Sequence, residues 1–274
     1  VGVKRDINRA VAWYRKAAEQ NHLRSQVNLG DYYTDIARFE EANKWYRKAA
    51  EHGDAFAQYN LGYNLAGGLG TERNISEAAE WYERAAEQGI GEAQCQIANI
   101  YYYGELGYRD YQKALRWYER AAEQGIPEAQ IQAADMLYYG DAGARDYQRA
   151  VMWFEKAAVN GNTKATHYLG ECYFRGDGVA QDYGKAVGYY RQAADKGYRL
   201  SQSALGECYY RGEGVAKDFN EAIYWFRKAA EQDDKYAQYF LGVCYEYGDG
   251  VEMNKYEAAR WYEKAAEQGH TTSQ

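Results

Sequence analysis

The stretch Asn74-Ile75-Ser76-Glu77-Ala78-Ala79-Glu80-Trp81-Tyr82-Glu83-Arg84-Ala85-Ala86-Glu87-Gln88 reads as one amphipathic helix with both ends written into it. Ala78, Trp81, Tyr82, Ala85 and Ala86 fall at i, i+3, i+4, i+7 and i+8, an apolar stripe at the helical period. Glu77, Glu80, Glu83, Arg84 and Glu87 take the opposite face. Asn74 followed by Glu77 predicts an N-cap with a reciprocal glutamate, as do Asp218 with Glu221 and Asn254 with Glu257. Gly89 follows the last turn, where a left-handed residue ends a helix.

Working outward, the aromatic pair Trp81-Tyr82 recurs as Trp13-Tyr14, Trp45-Tyr46, Trp117-Tyr118, Trp153-Phe154, Tyr189-Tyr190, Trp225-Phe226 and Trp261-Tyr262. The first interval is 32 residues and the remaining six are 36. A constant step of this size marks a solenoid of stacked two-helix units. The first helix of each unit carries a Leu-Gly or Ala-Ala step: Leu61-Gly62, Ala133-Ala134, Leu169-Gly170, Leu205-Gly206 and Leu241-Gly242. Gly inside a helix costs about 1 kcal/mol against Ala, so its repetition predicts the close approach of a neighbouring helix. Loops such as Gly176-Asp177-Gly178-Val179 then lead to the next cap, Asp182. The predicted fold is an all-α, right-handed solenoid of antiparallel helix pairs, a single array over 1–274. Its parts are a leading second helix (1–20), units at 22–52, 54–88, 90–124, 126–160, 162–196, 198–232 and 234–268, and the start of a further unit at 269–274.

The composition agrees. One Pro and 28 Gly among 274 residues suit a chain that is helical throughout, with Gly at helix ends and close crossings. A net charge of -7 argues against a nucleic-acid backbone as partner. No run of about 18 apolar residues exists to insert in a membrane. Starting Val1-Gly2-Val3, without a targeting signal, the chain is expected to be a soluble segment of something longer, its compartment unspecified. Cys172, Cys208 and Cys244 repeat at one position; with Cys95 they read as small buried hydrophobes rather than disulfide partners.

The segment Leu205-Gly206-Glu207-Cys208-Tyr209-Tyr210-Arg211-Gly212-Glu213-Gly214-Val215-Ala216-Lys217-Asp218, continued by Trp225-Phe226-Arg227-Lys228-Ala229-Ala230-Glu231-Gln232, closely resembles the Sel-1-like repeat, a relative of the tetratricopeptide repeat. The resemblance spans nearly the whole chain and weakens at 22–51, where four residues and the Gly-x-Gly loop are missing and a tighter turn is expected. It implies a non-enzymatic adaptor for protein complexes. It also implies an alternative, a β-lactamase-like hydrolase, because cysteine-rich relatives carry that label. Those relatives have a cysteine pair in each unit, which this chain lacks.

Chemistry is sparse. His22, His52, His167 and His270 lie in different units with no metal-ligand spacing, so no metal or cofactor is expected. None of Ser25, Ser76, Ser201 or Ser203 has a Lys three residues on, and His167 and Cys172 point apart on a helix. The Gly-x-Gly loops lack the Lys and Ser/Thr of a phosphate loop. No catalytic residue is assigned.

A partner is expected on the first helices. Taking the mid-helix Gly or Ala as position zero, positions -3, +1 and +4 point away from the second helix into a concave groove. The residues so assigned are Tyr59 and Tyr63; Asn99 and Tyr102; Asp135 and Tyr138; Glu171 and Phe174; Glu207 and Tyr210; Tyr239 and Glu246. Ala66, Cys95, Ile131, His167, Ser203 and Val243 complete the register. Tyr supplies contact area with a polar tip, and the acids would favour a basic or amide-rich protein or peptide. The competing reading is that Tyr102, Tyr138, Phe174 and Tyr210 simply pack between units. A third possibility is self-association through the uncapped ends.

Overall fold

The computed structural model describes residues 7–269. Among them are fifteen helices and no strand. They alternate as first and second helices of successive pairs, and consecutive helices pack together from the first to the seventh and from the ninth to the fifteenth. The chain forms the expected all-α solenoid of helix pairs. Contacts cluster it into two compact units.

The first unit runs to Ala133 and includes Asp141–Gly143. It holds α1 (Ile7–Glu19), α2 (Leu23–Asp35), α3 (Phe39–Glu51), α4 (Ala55–Gly67), α5 (Ile75–Glu87), α6 (Gly91–Tyr103) and α7 (Tyr111–Glu123), and the start of α8 (Pro127–Tyr139). Its core is built from Leu29, Tyr46, Leu61, Tyr82, Ile97 and Tyr118. The turn between α2 and α3 is the tight one expected, and it places Ala37 at φ +57.

The second unit takes the end of α8 from Ala134, then α9 (Tyr147–Val159), α10 (Thr163–Arg175), α11 (Tyr183–Asp195), α12 (Arg199–Arg211), α13 (Phe219–Ala230), α14 (Lys235–Tyr247) and α15 (Lys255–Glu267). Tyr190, Leu205, Cys208, Phe226, Leu241 and Cys244 fill its core. All four cysteines are free and buried, and burial pushes their thiols up to about 12. They behave as small hydrophobes.

The mid-helix glycine answers to a ring. A Cβ at Gly206 would stand 2.6 Å from the Phe226 ring, and one at Gly170 would stand 2.5 Å from Tyr190. In the glycine-bearing units the second aromatic of the pair (Tyr46, Tyr82, Tyr190, Phe226 or Tyr262) lies against that glycine, so the close approach is that of a side chain. The Gly-x-Gly loops do more than turn. Gly178 sits at φ +76, and a Cβ there would lie 2.5 Å from the Tyr147 carbonyl at the start of α9. The second glycine lets the loop touch the preceding unit.

The N-caps form as read: Asn74, Asp182, Asp218 and Asn254 each accept from a backbone N–H of the first turn. The reciprocal glutamate does not. The cap's own N–H donates to a carbonyl at the end of the preceding helix, Asn74 to Leu65 at 2.9 Å, Asp218 to Tyr209 at 3.0 Å and Asn254 to Tyr245 at 2.8 Å. Those carbonyls are orphans of the first helix's last turn, so one bond satisfies both ends and closes the hairpin. Glu77 instead accepts from Arg47 and Trp81.

Candidate protein-binding groove

Within the second unit the first helices line an open groove of about 750 Å3. The end of α8 supplies Tyr138 and Tyr139, and α10 supplies His167, Tyr168, Glu171 and Arg175. Leu200, Ser203, Ala204 and Glu207 come from α12, and Asp234 and Tyr236 from the start of α14. Arg145 and Asp177 from the loops and Tyr147 at the start of α9 also line it.

The assigned residues divide. Tyr138, Glu171 and Glu207 line this groove, together with His167 and Ser203 of the same register. Phe174 and Tyr210 turn onto the first residues of their own second helices, Tyr183 at 5.0 Å and Phe219 at 5.3 Å between ring centroids. Tyr138 meets Tyr147 at 5.3 Å in the same way. In the first unit Tyr102 meets Tyr111 at 5.3 Å and reaches Asp141. These four rings each seal the top of their own hairpin. Tyr59 is half-buried against Tyr82, whereas Tyr63 is 52% exposed. Asn99 accepts from the Tyr118 hydroxyl at 2.5 Å. Tyr239 packs on Tyr262, whose hydroxyl donates to Glu246 at 2.6 Å.

The register explains the division. At about 100° per residue, positions -3, +1 and +4 centre near about 65° from position zero. The groove is lined chiefly at -6 (Leu200, Tyr236), -2 (Tyr168, Ala204), +1 (Glu171, Glu207) and +5 (Tyr139, Arg175), which centre near about 130°. The open face is thus turned by about one sixth of a circle from the one expected. A legible signal was available: large side chains at +5 (Tyr103, Tyr139, Tyr247) and at -6 (Phe56, Leu200, Tyr236) are all exposed, and no ring-facing glycine explains them.

The acids are not a bare negative row. Glu171 pairs with Arg175 at 3.0 Å and accepts from the Tyr190 hydroxyl at 2.8 Å. Glu207 pairs with Arg211 at 2.7 Å, and Asp135 with Lys164 at 2.5 Å. Burial raises the Glu207 carboxyl and Arg211 opposes it. A basic ligand therefore competes with cations already present.

His167, which also lines the groove, has a sealed partner. Its Nδ1 lies 2.9 Å from Ser201 Oγ, and its ring sits among Tyr168, Tyr190 and Tyr198. Burial pushes its pKa down to about 4, with Glu171 acting against the shift. Ser201 is 0% exposed, so this serine–histidine pair cannot present a nucleophile to a substrate.

The model of the family described as "Sel1 repeat" matches consecutive segments 1–22, 23–54, 55–90, 91–126, 127–162, 163–198, 199–234 and 235–270. The chain belongs to the Sel1 repeat family. Its fold is similar to the crystal structure of c5321, a protective antigen present in uropathogenic Escherichia coli strains displaying an SLR fold. The two share 34% identity with a TM-score of 0.82, over 99% of this chain and 59% of that one. This chain thus spans less than two thirds of that relative's length. A Sel1 repeat protein from Oxalobacter formigenes is 32% identical with a TM-score of 0.67, over 98% of this chain and 80% of that one. Comparison with curated proteins gives no match. No helix among the described residues is long and apolar enough to cross a membrane.

Proposed function

We propose that this Sel1 repeat chain is a non-catalytic scaffold that holds a protein or peptide partner along the first helices of its second unit. The observation that carries the reading is the groove itself. It spans α8, α10, α12 and the start of α14, and is lined with tyrosines that offer broad apolar faces and polar tips. Membership in a family of protein-interaction repeats supports it. The hydrolase alternative has no observation in its favour: among the described residues the two serines paired to a ring nitrogen, Ser25 with His22 and Ser201 with His167, are both buried.

The test is affinity capture from source-cell lysate with three baits: wild type, a Tyr139→Ala/Tyr168→Ala/Tyr236→Ala variant, and an Arg116→Ala/Glu123→Ala variant on the second helices. A partner retained by the first and third and lost by the second places binding in this groove. A partner lost only by the third moves it to the second helices. End-to-end self-association is a second reading, drawn from α1, where Ile7 is 60% and Trp13 is 66% exposed. A solution mass that rises with concentration and falls on Trp13→Glu would support it.

A further inference from the structure

Resting on that reading, we propose that the His167 Nε2–H is a fixed donor on the groove floor that hydrogen-bonds a main-chain carbonyl, so that the partner segment lies extended rather than helical.

The argument begins at Ser201. Its hydroxyl is fully buried and has one partner, His167 Nδ1, at 2.9 Å. A buried hydroxyl gives its proton to the acceptor it has. Nδ1 is therefore the acceptor, and the second ring nitrogen, Nε2, carries the imidazole's proton. His167 itself is 6% exposed, yet its ring lines the groove. Nε2 has no partner within the protein and is not among its sealed polar atoms. The Nε2–H of a nine-tenths-buried side chain thus reaches the groove surface without a partner in the protein. The neutral ring is held across the physiological range, because burial keeps the pKa near about 4.

The neighbourhood selects the acceptor. Glu171 stands one turn further along α10 in the same groove, so an incoming carboxylate would meet a like charge. A neutral carbonyl meets none. A helix spends its carbonyls on its own ladder except in the last turn, whereas an extended strand offers one at every second residue on each side. A further donor lies alongside. The Tyr139 and Tyr168 hydroxyls bond each other, which uses one proton and leaves the other to give.

The register supplies the control. The position of His167 is held by Cys95 and Ile131 in other units, and that of Ser201 by Ala57, Ala93, Ala129, Ala165 and Ala237. A His167→Ile/Ser201→Ala variant restores the apolar pair that those units already bury, so it retains the fold.

Short linear peptides would be selected from a random display library on the full chain, keeping those that Tyr139→Ala/Tyr168→Ala weakens. Calorimetry would compare each peptide, and a lactam-stapled helical version of it, on wild type and on His167→Ile/Ser201→Ala. Loss of one buried donor should weaken the linear peptide about tenfold, and the stapled form should bind more weakly than the linear one. Long-range nitrogen–proton spectra should show the Nε2–H tautomer in the free protein, its proton moving downfield on binding. An Nδ1–H tautomer, equal affinity for the double variant, or preference for the stapled helix would each overturn the extended-carbonyl proposal while leaving the groove in place. Selection of peptides that are all indifferent to Tyr139→Ala/Tyr168→Ala would instead overturn the groove reading itself.

Discussion

Single residues carry the departures from the repeat. Where the second helices end, most units place a glycine in the left-handed region, but α13 is followed by Asp233 at φ +58. A non-glycine residue there costs roughly 1–2 kcal/mol, and Asp lowers that cost by its tolerance of the region. Asp233→Gly should therefore raise stability by roughly 0.5–1 kcal/mol, read as a higher urea midpoint with an unchanged slope. His167 gives a second prediction, with its sign fixed by burial. Its folded pKa of about 4 lies below the ordinary 6.5, so as pH falls the unfolded chain takes up this proton first. Its contribution is intact above about pH 6.5 and is lost progressively down to about pH 4, a total of roughly 3 kcal/mol. Urea titrations at pH 7.5 and 4.5 should differ by that much more in wild type than in His167→Ile/Ser201→Ala. Equal differences would mean that carboxylates alone drive the acid sensitivity.

At the level of helices, the unit is held by devices that bridge element ends. Gln58, Gln94 and Gln202 each donate to a carbonyl in the last turn of the preceding second helix, at 3.1, 3.0 and 3.2 Å. Each then accepts from the glutamine that ends its own second helix, Gln88, Gln124 and Gln232, at 2.8 Å. In the shortened first pair the chain has His52 at that end, and Gln26 Oε1 is buried without a partner. His52→Gln should restore the bond and stabilise by about 1 kcal/mol, checked by thermal melting. The ring-on-glycine contact makes a different test. Gly62 would place a Cβ 3.0 Å from the Tyr82 ring, whereas Gly206 would place one 2.6 Å from Phe226. Gly62→Ala should be near neutral, helix propensity offsetting the crowding. Gly206→Ala should cost about 1–2 kcal/mol, because overpacking exceeds the propensity gain.

For the molecule as a whole, contacts run between neighbouring helices, and the chain clusters into two units. Stability in such arrays is a sum of local terms. A lesion should therefore loosen its own unit first. Hydrogen exchange on Gly206→Leu should rise across α11–α14 and leave α2–α5 unchanged; a uniform rise along the chain would show a single cooperative block instead.

The sequence by itself determined the fold class, the bounds of the helix between Asn74 and Gln88, the N-capping residues and the place of the cysteines. Each of these is written within one turn or one period of the chain: the N-cap Asn74, the stripe through Trp81 and Tyr82, and the recurrence at 36 residues. What only the tertiary structure decided was where each side chain's remaining bonds go. The glutamates of the capping motif lost the cap N–H to a carbonyl of another helix. Phe174 and Tyr210 were drawn onto Tyr183 and Phe219, and the open face turned toward Tyr139, Tyr168 and Tyr236. Helical spacing fixes the angle between two side chains on one helix, but not the angle at which a neighbouring helix arrives. That angle is set by rings seated on Gly170 and Gly206, and it decides which face of the helix is left to a partner.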